Sequence, residues 1–171
     1  MINVPYLFVT LTAVAGCLYD LRSRRIPNYL TFGSAALALG YAVATAGWSG
    51  LGMGVGGWAL GVALFIPFFL LRGMGAGDVK LLAALGAWVG PVVLLSLTFY
   101  TAISGGVMAL VVVLWRRKLA ATFENLWLLL CHFRVVGLKP MSELSLENKN
   151  TLSLPYGLPI AAGALLTLWL H

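Results

Sequence analysis

Five apolar stretches dominate the 171-residue chain, and all but the last two are separated by short polar segments. Because a helix needs about 20 apolar residues to cross a bilayer, each of the first three stretches is long enough for one membrane span. The fourth is too long for one span, and Gly90 with Pro91 inside it predicts a turn that divides it. The last is short for a span and should be tightly packed. The stretches cover 2–19, 28–48, 51–71, 79–115 and 156–170.

The basic residues indicate how these spans face the membrane. All 11 Lys and Arg residues fall in three clusters, and such residues accumulate on the cytoplasmic side. Moving from one cytoplasmic cluster to the next requires two crossings. With the first and last stretches, this predicts an all-α polytopic membrane protein with six transmembrane helices and both termini outside. The clusters lie at 22–25, 72–80 and 116–149.

The one long polar interval, 116–154, predicts a cytoplasmic loop. Its first part, about 119–136, places large apolar side chains at helical spacing among polar ones, which is typical of a helix lying in the membrane interface. A seventh crossing is the alternative, but it would bury Glu124 and place Lys139 and Lys149 outside. We expect residues 1–171 to form a single membrane-embedded domain.

Composition supports the membrane interpretation and limits the partners. The chain is 61% hydrophobic and 9% charged, whereas about 25% of the residues of a soluble domain are charged. The net charge of +6 is explained by the cytoplasmic clusters, so nucleic acid is not an expected partner. The two cysteines fall near the cytoplasmic side, where a disulfide is not expected. His132 has no second histidine near it in the sequence, so a metal site is not expected either.

Asp20 and Asp78 are the only aspartates in the chain, and each adjoins an apolar helix. An ionisable residue at membrane depth is by default a functional candidate. Asp20 ends the first span as it reaches the cytoplasm and Asp78 begins the fourth, so both are expected in the same leaflet. Two neighbouring carboxylates share a proton: one can then take a proton from water while the other donates one to a carbonyl oxygen. That chemistry needs no cofactor.

Simpler interpretations are open for each aspartate taken alone. Asp78 is a suitable helix N-cap, and Asp20 could pair with Arg24 one helical turn later. The glycines favour the functional interpretation, because a cap does not need Gly75 and Gly77 before it. Such bare backbone allows positive φ angles and the close approach of another backbone.

Three segments resemble the type IV prepilin peptidase family. Gly75-Ala76-Gly77-Asp78 matches the GxGD signature of intramembrane aspartyl peptidases, which presenilin-like enzymes share. The sequence DLRSRRIPNYLT at 20–31 is similar to the family's segment around its first aspartate. GAGDVKLLAALGAWVG at 75–90 is similar to the second such segment, and LPYGLPIAAGALL at 154–166 to the last helix. The long cytoplasmic interval is the least similar part.

The resemblance implies a function. Asp20 and Asp78 would be the catalytic pair, and Gly75 and Gly77 would let the loop move against the substrate. The substrate would be a prepilin or pseudopilin with a basic leader and an apolar helix, cut at the cytoplasmic face of the bacterial inner membrane. Lacking the C-x-x-C motifs of longer members, the chain resembles the peptidase-only form of Flp-type (tight adherence) pilus systems, in which N-methylation is the work of another protein.

Lys80 and Asn28 are further candidates for shaping this site. Lys80 could orient the glycine loop or extend towards the lipid headgroups, and Asn28 could hydrogen-bond to the loop near Asp20. Two other functions remain alternatives: a small proton-coupled transporter that uses Asp20 and Asp78 as relay residues, and a scaffold subunit with a degenerate site. A relay requires ionisable groups through the membrane centre, and the sequence places both aspartates at one face.

Overall fold

The computed structural model describes residues 4–70, 74–115 and 156–170, and these residues form four α-helices and no strand. The predicted all-α class is confirmed. Three of the helices are long and apolar enough to cross a membrane, and the last is shorter. The predicted cytoplasmic loop at 116–154, with its interfacial helix at 119–136, lies outside the described residues. The helices are α1 (Val4–Ser23), α2 (Asn28–Leu70), α3 (Ala76–Trp115) and α4 (Gly157–Leu170).

Helix α2 is broken at Gly47, close to the predicted boundary between the second and third apolar stretches. Gly47 has φ 60° and ψ −141°, a conformation that a residue without a Cβ adopts readily. The halves on either side fold back on each other, since a Cβ atom on Gly54 would lie 2.9 Å from Cδ2 of Leu39. On one straight helix those positions would be about 22 Å apart.

Helix α3 is broken in the same way at Gly90. This residue has φ 75° and ψ 175° and is followed by Pro91, which confirms the turn that the sequence predicted at these two positions. The Leu94 side chain comes back to within 2.8 Å of the Cβ position of Gly86. The described residues thus form four helices, two of them folded back at a glycine. The six membrane crossings that the sequence predicted stay a prediction.

Helix α3 lies at the centre of the molecule and contacts each of the other three helices. Its first half is almost entirely buried, and the side chains of Leu81, Leu82 and Leu85 are completely so. The outer surfaces carry exposed apolar side chains such as Leu37 and Phe99, as expected of helices that face lipid.

Small residues allow α2 and α3 to approach closely, as is common between helices in membranes. A Cβ atom on Gly61 would lie 2.7 Å from the Cα of Ala83, and one on Gly57 would overlap the backbone of Gly86. Gly56, next to Gly57 in the same helix, has nothing within 4 Å of its Cβ position and does not take part in this contact.

A buried polar cluster joins α1, α2 and α3. The indole N–H of Trp88 donates a 2.9 Å hydrogen bond to the Ser34 hydroxyl, which shares a second bond of 2.8 Å with the hydroxyl of Thr12. The Phe8 ring stacks on Trp88 with 4.7 Å between centroids. These contacts fix how α1 packs beside α3, and with it the position of the aspartate that ends α1.

Candidate active site

Asp20 lies in the last turn of α1, where the helix ends after Ser23. Arg24 closes the helix: it has φ 51°, and its amide donates a 2.9 Å hydrogen bond to the carbonyl of Asp20. This backbone bond, and not an ion pair between the side chains, is the contact that joins the two residues. The Asp20 side chain is turned inwards and is only 8% exposed.

Asp78 is the third residue of α3 and is 7% exposed. The structure corrects its interpretation as the N-cap: the helix begins at Ala76, and the amide of Asp78 donates to the carbonyl of Gly75, so that Gly75 occupies the cap position. A Cβ atom on Gly75 would lie 3.2 Å from Oδ2 of Asp78. Oδ1 is buried and has no hydrogen-bond partner among the described residues.

The two aspartates lie at the same end of the helices, as the sequence predicted. They are close enough for the charge of Asp20 to act on Asp78. Because α1 ends there and α3 begins there, two carboxylates far apart in the sequence meet at one depth. Both carboxylates are buried, and Asp78 directly follows the glycine loop.

The first residues of α4 complete this site, which the sequence had not predicted. The amide N–H of Gly157 donates a 2.8 Å hydrogen bond to Oδ2 of Asp20, 137 residues earlier in the chain. Gly157 is buried, and a Cβ atom there would lie 2.8 Å from the Cβ of Asp20. The tripeptide P-Y-G at 155–157 was a signal for this contact, but on its own it suggested only a helix start.

Tyr156 lies beside the other aspartate. The Tyr156 phenol is close enough to Asp78 for the charge of that residue to act on it. Its ring packs against the hydrophobic core. Tyr156 and the first residue of α4 thus approach both carboxylates, Asp20 through the amide of Gly157 and Asp78 through the neighbouring phenol.

The glycine loop provides close packing rather than unusual backbone angles. Neither Gly75 nor Gly77 has a positive φ, so that part of the expectation is wrong. Close approach does occur, since a Cβ atom on Gly77 would lie 3.2 Å from the Cβ of Ile26. Ile26 is buried in the segment that links α1 to α2. The absence of a side chain at 77 therefore lets this link pack against the first turn of α3.

Lys80 and Asn28 contact each other at the edge of the site. The Lys80 ammonium donates a 3.0 Å hydrogen bond to Oδ1 of Asn28 and lies 5.3 Å from the centroid of the Phe32 ring. Asn28 is thus bonded to Lys80, whereas we had expected it to bond to the loop near Asp20. A role of either residue in substrate binding stays a prediction. Within the described ranges, no three His, Cys, Asp or Glu side chains are grouped as in a metal site.

One comparison with known proteins identifies a family for the chain. The model of the type IV leader peptidase family matches residues 7–110, and the chain belongs to that family. The resemblance to the prepilin peptidase family is thereby confirmed, and the apolar helices make the chain a multi-pass membrane protein of a peptidase family. The match includes Asp20, the glycine loop and Asp78, but it ends before α4. No curated protein and no solved structure matches the chain.

Proposed function

We propose that the chain is an aspartyl endopeptidase that removes the basic leader from prepilin or pseudopilin substrates, with Asp20 and Asp78 as its catalytic residues. The observation that carries the proposal is the buried pair of carboxylates at one end of the helices. Both are less than 10% exposed, and they come from two different helices. Burying two acidic groups together is costly unless the pair holds a proton, which is the state that acid–base catalysis uses.

The chemistry follows from that state. One carboxylate removes a proton from water, the water oxygen bonds to the scissile carbonyl carbon, and the other aspartate protonates the carbonyl oxygen. The resulting diol collapses as the carbon–nitrogen bond breaks. The first aspartate then returns its proton to the leaving nitrogen, and the second regains one from a diol hydroxyl. Both groups end as they began.

The membrane arrangement fits a substrate that is itself anchored in the bilayer. We propose that α2 and α3 each cross twice, turning at Gly47 and Gly90, and that α1 and α4 cross once, giving six crossings. The exposed Arg22, Arg24 and Arg25 would place the site at the cytoplasmic face of the bacterial inner membrane. A prepilin could then present the junction between its basic leader and its apolar helix at the depth of the aspartates. The Flp-type pilins are the substrates we propose.

A proton-coupled transporter is the less well supported alternative. In the described helices, Asp20 and Asp78 are the only buried ionisable side chains, and the other buried polar residues are Ser and Thr. Two carboxylates at one end suit chemistry at that face better than a relay across the membrane.

Co-expression with a prepilin from the same genome tests the proposal. Membranes that contain wild type, Asp20→Asn or Asp78→Asn are compared by the mass of the pilin. Glu143→Gln, the same chemical change at a carboxylate of the polar interval, is the matched control. We expect wild type and the control to shorten the pilin at the leader boundary and both aspartate variants to leave it intact. Cleavage by either aspartate variant, or no cleavage of any prepilin that a known prepilin peptidase does cut, would refute the proposal.

A further inference from the structure

We infer that the two aspartates have different roles in the reaction. Asp20, which accepts a hydrogen bond from the Gly157 amide at the start of α4, is the ionised base, and Asp78 is the protonated acid. This inference rests on the proposed peptidase function and extends it. It assigns a positioning role to Gly157, which lies beyond the part of the chain that matches the family.

Helix α4 meets Asp20 with an amide that has no partner in its own helix. The first N–H groups of an α-helix lack intrahelical acceptors, and here the first intrahelical bond near the start is donated by Ile160 to the carbonyl of Tyr156. The Gly157 amide has no acceptor within α4 and instead donates a 2.8 Å hydrogen bond to Oδ2 of Asp20. Asp20 therefore caps α4 from another helix, across the interior of the protein.

This contact favours the ionised form of Asp20. A hydrogen bond from an N–H group to a carboxylate is stronger when the carboxylate is charged. The partial positive charge at the start of the 14-residue α4 acts in the same direction. Glycine is needed for the contact, since a Cβ atom at 157 would lie 3.0 Å from Oδ2 and 2.8 Å from the Cβ of Asp20.

Asp78 is in the opposite situation. Its Oδ1 is buried and receives no hydrogen bond from any described residue. Burying an oxygen without a hydrogen bond costs less free energy in a neutral acid than in a carboxylate. A negative charge on the nearby Asp20 also disfavours a negative charge on Asp78. A protonated Asp78 also has the O–H that the reaction needs to protonate the carbonyl oxygen of the substrate.

Among the residues that the structure describes, the other titratable groups around the pair do not reverse this assignment. Cys17 lies one turn before Asp20 and is acted on by its charge, and Tyr156 is acted on by the charge of Asp78. Neither group carries a positive charge. Lys80, the cation that α3 carries next to Asp78, is bonded to Asn28. The groups that distinguish the two carboxylates are therefore the Gly157 amide and the unpartnered Oδ1.

The pH dependence of leader cleavage tests the role of Gly157. In the full chain reconstituted in vesicles, we expect the rate to fall at low pH as the base of the reaction becomes protonated, which gives the acidic limb of the rate profile. Gly157→Pro removes the N–H at the first helical position, and both it and Gly157→Ala add a Cβ atom that displaces Asp20. We expect both to move the acidic limb to higher pH by about one unit, because the ionised form loses a hydrogen bond.

Gly105→Ala is the matched control for that experiment. A methyl group at 105 would meet the Cβ of Pro159 on α4 at an ordinary 3.6 Å, so its profile should equal that of the wild type. A Gly157 variant that loses rate equally at every pH would show a purely structural role and overturn the inference. If the aspartate variants are inactive but the acidic limb of the Gly157 variants lies at the same pH as that of the wild type, the proposed function stands and this inference fails.

Carbon-13 NMR gives a second test that does not depend on activity. The chain has only two aspartates, so labelling aspartate gives two carboxyl signals from these residues. The signal that responds to Gly157→Pro belongs to Asp20. We expect it to be that of an ionised carboxylate at neutral pH, with the second signal that of a protonated acid. The reverse pattern of the two signals would overturn the assignment. The signals can be read even in a variant that no longer cleaves the leader.

Discussion

Gly157 donates its amide N–H to the carboxylate of Asp20 at 2.8 Å, although 137 residues separate the two in the chain. This bond brings the last helix into a site whose other parts lie within the first 110 residues, where the family match ends. The candidate site is therefore built from three places: the end of α1, the start of α3 and the start of α4. These contribute the carboxylate of Asp20, the carboxylate of Asp78 and the amide of Gly157, respectively.

Gly77→Ala tests how the link between α1 and α2 supports the site. The new methyl group would lie 3.2 Å from the Cβ of Ile26 and would push this link away from α3. Because catalysis is sensitive to displacements of about 1 Å, we expect the rate of leader cleavage to fall by about 10- to 100-fold. Gly33→Ala, at a position with nothing within 4 Å, is the matched control. A wild-type rate in Gly77→Ala would contradict the packing described for this glycine.

Ser34→Ala tests the polar cluster that fixes α1 beside α3. The change removes the acceptor of the Trp88 N–H and the partner of the Thr12 hydroxyl. Hydrogen bonds between helices in membranes contribute modestly, so we expect the free energy of unfolding to fall by about 1 kcal/mol. The measurement is equilibrium unfolding in mixed micelles, with Ser49→Ala as the control, since the exposed Ser49 hydroxyl bonds only to its own helix. Equal stability of the two variants would contradict the role of the cluster.

Gly61→Ala tests the contact between α2 and α3. Its methyl group would lie 2.7 Å from the Cα of Ala83, where backbone cannot move aside easily. Overpacking of this kind costs about 1–3 kcal/mol, and we expect that loss in the free energy of unfolding. Gly56→Ala, with open space at its Cβ position in the same helix, should unfold like the wild type. If both variants unfold alike, the helices are not packed as described.

Cysteine labelling tests the proposed turn at Gly47. In a chain whose Cys17 and Cys131 are replaced, Ser49→Cys should react with a membrane-impermeant maleimide in intact spheroplasts. Ser23→Cys, at the end of α1, should react only after the membrane is made permeable. We expect this pattern because the basic residues after Asp20 hold their end of the helices in the cytoplasm. Labelling of both positions from the same side would contradict two crossings by α2.

Much of this arrangement could be predicted from the sequence, for reasons that are specific to membranes. The basic clusters fix which helix ends share a side, and this was enough to place Asp20 and Asp78 together. Gly90 with Pro91 predicted the break in α3 because both residues disfavour a continuous helix.

The contribution of α4 could not be predicted in the same way. Gly157 acts through its backbone amide, which every residue except proline has. The missing side chain indicates only that some group lies close to position 157, and does not indicate that this group is Asp20. Nor does composition tell which glycines face a neighbouring helix: Gly57 and Gly61 pack against α3, whereas Gly56 does not. These features depend on the rotation of each helix, which the weak amphipathicity of a lipid-exposed helix does not fix.

The most direct test of the central claim is the rate of leader cleavage by purified protein in vesicles, for Asp20→Asn, Asp78→Asn and the double variant. When two groups act as one unit, the effects of replacing them are not additive. We therefore expect the cleavage rate of each single variant to fall on the order of a thousandfold or more, and that of the double variant to fall no further. Removal of the leader by a single variant at close to the wild-type rate would contradict the two-aspartate account.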